Sequence, residues 1–198
     1  MFRFVKILTC YLILSTFLTP QAESIQLRLT EKDIGDALEY GTARRDLTHP
    51  ELLRDWRVDL GYGVGSATII TPFGSIAVLA KEMARRFRDP TDREIREEID
   101  KKKGKLVFGC SVYGDSQWFA DDYKAFLMYK DKKLEPSETE IPTSAKYTRS
   151  YPDSPRYWAL CFFTFAILDI DPDAKITLIL KSGEGEELKF PFDLSRLR

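Results

Sequence analysis

The chain of 198 residues contains one histidine, His49, and only three cysteines. With a single imidazole, a multi-histidine metal site cannot be built. Any Ser-His-Asp or Cys-His catalytic system would have to rest on His49 alone. That residue precedes Pro50 at an expected helix start, which is the simpler assignment for it. No CxxC pair occurs, so cysteine-based zinc sites are excluded as well. A phosphate-cradling loop is also missing. Gly61-Tyr62-Gly63-Val64-Gly65-Ser66 has the glycines but neither the GxGxxG spacing nor a following Gly-Lys-Ser/Thr, so it reads as a tight loop passing close beneath a helix. No motif calls for a cofactor.

Excess positive charge is lacking too. There are 30 basic and 31 acidic residues, whereas a nucleic-acid-binding domain presents a strongly basic face. Long apolar runs are absent beyond the N-terminus, so the mature chain is not expected to span a membrane. Disorder is excluded by composition: 43% of residues are hydrophobic and 13% aromatic, enough for a packed core.

The N-terminus itself has the order of chemistries of an export signal. Arg3 and Lys6 precede an apolar stretch from Ile7 to Leu18, about a dozen residues where a spanning helix needs roughly 20. Pro20 and Ala22 follow. This predicts a signal peptide over residues 1–22, cleaved after Ala22, and a secreted or periplasmic protein. Cys10 lies inside the apolar stretch and is poorly placed for lipid attachment. Removal of Arg3 and Lys6 leaves 28 basic residues against 31 acidic, a net charge of −3.

The mature chain, 23–198, is expected to be a single α+β domain, mainly helical over 23–104 and mainly β over 105–198. Thr30-Glu31-Lys32-Asp33 and Thr91-Asp92-Arg93-Glu94 are capping boxes. After the first, Ile34, Ala37, Leu38 and Gly41 give a short apolar stripe and a glycine stop. Phe73, Ile76, Ala77, Ala80, Ala84 and Phe87 recur at helical spacing after Thr71-Pro72, predicting a long buried helix that ends at Asp89-Pro90. From Lys105 the period becomes two. Strands are expected from Leu106 to Val112, Tyr123 to Tyr129, Trp158 to Ile170, Lys175 to Leu180 and Glu187 to Phe192. Their short connections favour an antiparallel sheet or a small immunoglobulin-like β-sandwich against which the helical half packs.

Cys110 and Cys161 fall in two of these strands and are disulfide candidates in an oxidising compartment. Asp169, Asp171 and Asp173 alternate at a strand end and are weak calcium candidates, with Asp121 and Asp122 available from another loop. Asp121, Asp122, Asp169 and Asp171 could also serve a carboxylate-dependent hydrolase acting on an envelope glycan, the alternative function. The strongest binding signal is the connection from Glu135 to Arg156. It holds four prolines and interleaves Tyr147, Arg149, Tyr151 and Arg156, residue types that combine contact area with polar tips. Trp118 and Phe119 form a second aromatic patch. The expectation is a non-catalytic binding or structural module of the cell envelope, with an envelope protein or glycan as partner.

Overall fold

The computed structural model describes residues 29–166 and 170–197. The expected signal segment, its cleavage point, Cys10 and Asp169 lie outside the described residues. Four helices, α1 (Glu31–Ala43), α2 (His49–Leu52), α3 (Pro72–Arg85) and α4 (Asp92–Lys102), each begin at a threonine. Thr30, Thr48 and Thr91 accept the amide three residues on, while Asp33, Glu51 and Glu94 reach back to the cap amide. These reciprocal bonds satisfy two otherwise orphaned donors and fix where each helix starts. Thr71 caps α3 without the acid, and Pro72 follows at the first helical position. None of the helices among the described residues is long and apolar enough to cross a membrane.

Between α2 and α3 the chain leaves the helical pattern. A 3-10 turn (Arg54–Trp56) leads into β1 (Arg57–Asp59) and β2 (Gly65–Ile70). The β-branched run Thr68-Ile69-Ile70 suits a half-buried strand, and β2 pairs with β3 (Lys105–Gly114) over its whole length. The glycine-rich segment is therefore the turn of the β1–β2 hairpin. Gly61, Gly63 and Gly65 all adopt positive φ, from 83° to 152°. A side chain on Gly65 would also sit 3.1 Å from the Ser111 carbonyl and Leu188.

The remaining strands are β4 (Lys124–Tyr129), β5 (Lys132–Leu134), β6 (Glu138–Glu140), β7 (Lys146–Tyr147), β8 (Tyr157–Ala166), β9 (Lys175–Lys181) and β10 (Glu187–Asp193). All pairings are antiparallel. One sheet runs β1-β2-β3-β8-β6 with β7 also on β8, and the other runs β10-β9-β4-β5. Leu106, Phe108, Cys110 and Val112 alternate along β3 and face Phe165, Phe163, Cys161 and Ala159 of β8, all at most 2% exposed. Phe108 meets Phe165 at 5.7 Å within its sheet and Phe192 at 5.4 Å in the other. On the far side of the first sheet, Ser75 and Val78 of α3 stand across a groove of about 470 Å³ from Ile70, Gly109, Leu160 and Phe162.

Cys110 and Cys161 are directly opposite one another, as their strands require, but they are separate thiols. Burial pushes the Cys110 thiol well above its ordinary pKa and Cys161 to about 11. The thiolate is the species that forms disulfides, so burial holds both folded thiols in their unreactive form. Cys110 and Cys161 should resist a thiol reagent when folded and label fully in denaturant without reductant. Failure to label in unreduced denaturant would show that they are bonded.

Candidate functional site

The connection from Glu135 to Arg156 is ordered by its own main chain. It contributes β6 and β7 to the edge of β8, and beyond them Thr148 closes a compact loop. The Thr148 amide donates to the Arg156 carbonyl at 2.9 Å, and its hydroxyl donates to the Pro155 carbonyl. The Ser150 amide donates back to Thr148 Oγ1 at 3.2 Å. Within this loop the bonds preceding Pro152 and Pro155 are cis. Asp115, just beyond β3, clamps the other side by accepting from the Ser154 hydroxyl at 2.9 Å and the Arg156 amide at 3.0 Å. Those donors hold its carboxyl below the usual range, Ser154 most strongly.

This scaffold gathers a group of tyrosines. Tyr147 is opposite Tyr157 in the β7–β8 register, with ring centres 5.3 Å apart. Tyr151 folds back on both, 4.3 Å from Tyr147 and 6.3 Å from Tyr157. Arg149 lies over the Tyr62 ring at 4.0 Å, and the Tyr62 hydroxyl is 2.9 Å from Ser150 Oγ. Tyr62 in turn meets Tyr113 edge-on at 5.3 Å. Hydrogen bonding from Ser150 holds the Tyr62 phenol below its ordinary pKa, whereas burial raises Tyr113. Tyr147 is 64% exposed and Tyr151 50%. A fixed, open aromatic surface with a stacked guanidinium results.

Of the loop residues singled out in the sequence, Tyr147 and Tyr151 are in ring contact, while Arg149 lies on Tyr62. Arg156 takes part through its main chain, on Asp115 and Thr148. Tyr62, Tyr113 and Tyr157 were not legible as members. Tyr62 lies in the glycine turn, and Tyr113 and Tyr157 fall just outside the expected strands.

The second patch divides in two. Phe119 is half-buried over Gly114, where a Cβ would lie 2.4 Å from its ring, and meets Tyr123 at 6.1 Å. Trp118 is 61% exposed and borders a cleft of about 1040 Å³ that also touches Tyr113, Ser154 and Pro155. The two aromatic regions therefore adjoin across shared loop residues.

Asp121 and Asp122 lie apart from Asp171 and Asp173. Asp121 and Asp122 border the cleft just before β4. The Asp171 amide rests on the Tyr129 hydroxyl at the other end of that strand, so about 20 Å of strand separates them. Glycosidase carboxyls stand within about 10 Å. Asp171 Oδ1 instead accepts the Asp173 amide at 3.1 Å, closing a local turn. Among the described residues no three His, Cys, Asp or Glu side chains are grouped to hold a metal ion. Compared with known protein families and with curated protein sequences, the chain matches none.

Proposed function

We propose that the protein is an exported, non-catalytic binding module of the cell envelope, and that its contact surface is formed by Tyr147, Arg149 and Tyr151 with Trp118 beside them. The supporting observation is the exposure of Tyr147 and Tyr151 on a loop otherwise closed by hydrogen bonds. Aromatic and arginine side chains supply most of the binding energy at recognition surfaces. Holding them in place beforehand removes part of the entropy lost on association. The export reading rests on the charges and apolar stretch at the N-terminus. The Phe108–Phe192 contact between the two antiparallel sheets supports a β-sandwich outline, an architecture that commonly binds through loops at one end.

Replacement of Tyr147, Arg149 and Tyr151 by alanine together is expected to abolish binding to a lipid-depleted extract of the cell envelope. The melting temperature should fall by only a few degrees, because all three side chains lie at an exposed surface. A collapse in melting temperature with binding retained per folded molecule would make the tyrosines part of the scaffold and would reject this surface.

A further inference from the structure

Helix α3 was expected to continue to Asp89, with Phe87 on its buried stripe. It stops earlier, at Arg85, and the stop is peculiar. The Phe87 amide donates to the Ala84 carbonyl at 3.0 Å and the Arg88 amide to the Met83 carbonyl at 3.1 Å. This is the Schellman closure, which places one residue in the left-handed region just past the helix. Phe87 occupies that position with φ 56°. Glycine suits it, and a bulky side chain is strained there. Burial would offset the strain, yet Phe87 is 97% exposed. An aromatic ring is held out in water at a backbone position that disfavours it.

Its surroundings say what it meets. Arg85, Arg86 and Arg88 flank it in sequence, and all three are exposed. Arg88 is bound to Glu94 at 2.7 and 2.9 Å, and Asp89 follows. Arg85 and Arg86 form no ion pair among the described residues. The chain as a whole is slightly acidic, so this tip is a local cationic spot with an apolar point. Behind it α3 is rigid, with Phe73, Ile76, Ala77 and Ala80 at most 3% exposed. We propose that Phe87, with Arg85 and Arg86, is an interfacial anchor that docks this domain on an anionic lipid surface. The ring enters the headgroup and acyl boundary while the guanidinium groups meet lipid phosphates.

The test is sedimentation of the mature chain with vesicles of phosphatidylglycerol and with vesicles of phosphatidylcholine. Binding is expected only to the anionic vesicles. Phe87→Gly should weaken it about tenfold or more while raising the melting temperature, since glycine relieves the strain. Replacing Arg85 and Arg86 by glutamine should weaken it roughly fivefold per charge. The Tyr147, Arg149 and Tyr151 alanine variant should bind vesicles like the parent, which separates this surface from the tyrosine one. Equal binding to neutral vesicles, or binding indifferent to Phe87→Gly, would overturn the proposal. Absence of vesicle binding would also overturn it, and a stabilised Phe87→Gly protein would then leave the tip to an acid-lined protein pocket.

Discussion

Phe108→Ala is expected to destabilise the protein by about 3–5 kcal/mol, the range for truncating a buried aromatic ring. Phe108 is fully buried at the centre of β3, and its ring bridges the sheets by touching Phe165 on one side and Phe192 on the other. Its register partner in β8 is Phe163, itself 1% exposed. Removal of the ring leaves a cavity between two paired sheets that cannot close without shifting both strands. Urea denaturation should show a lower midpoint with an unchanged slope. A loss below about 1 kcal/mol would mean that the sheets do not share the core described here.

The second large effect concerns the same substitution at two places in α1. A Cβ on Gly41 would lie 2.0 Å from the Ala77 carbonyl oxygen and 2.8 Å from its carbon, whereas one on Gly35 would meet nothing within 4 Å. Both atoms at Gly41 are main chain, so no side chain can swing aside. Gly41→Ala should force α1 off α3 and cost about 1–3 kcal/mol or more. Gly35→Ala should instead stabilise by about 0.5–1 kcal/mol, because alanine loses less freedom in a helix. Opposite signs within one helix are the expected result. Equal shifts would show that α1 does not cross α3 at Gly41.

Gly41 also illustrates what a sequence conceals. At the end of a short apolar stripe it looked like a helix stop, but the helix continues to Ala43. The glycine serves a contact 36 residues away in the chain, which local pattern cannot register. Phe87 misled for the related reason that helical spacing says nothing about where hydrogen bonding closes. Short-range physics was legible. The capping boxes at Thr30 and Thr91 and the alternation from Leu106 to Val112 follow from neighbours within a few residues. The hairpin made by the glycine-rich segment was missed because β1 is only three residues long and β2 pairs over its full length only with the distant β3.

The tyrosine surface divides along the same line. Tyr147, Arg149 and Tyr151 lie within five residues, so their proximity was visible beforehand. Tyr62 joins through Arg149 and Ser150, 88 residues distant in the latter case. Trp118 adjoins because Asp115 pins the loop bearing Ser154 beside the cleft. Only the fold brings these together.

The claim that this end of the molecule meets a partner is tested most directly by a photo-activated cross-linking residue placed in the protein in living cells. Position Tyr151 is compared with Lys189, an exposed site on β10. The account predicts one discrete adduct from position 151, lost when Arg149 and Tyr147 are alanine, and none from position 189. Adducts from 189 with none from 151 would contradict it.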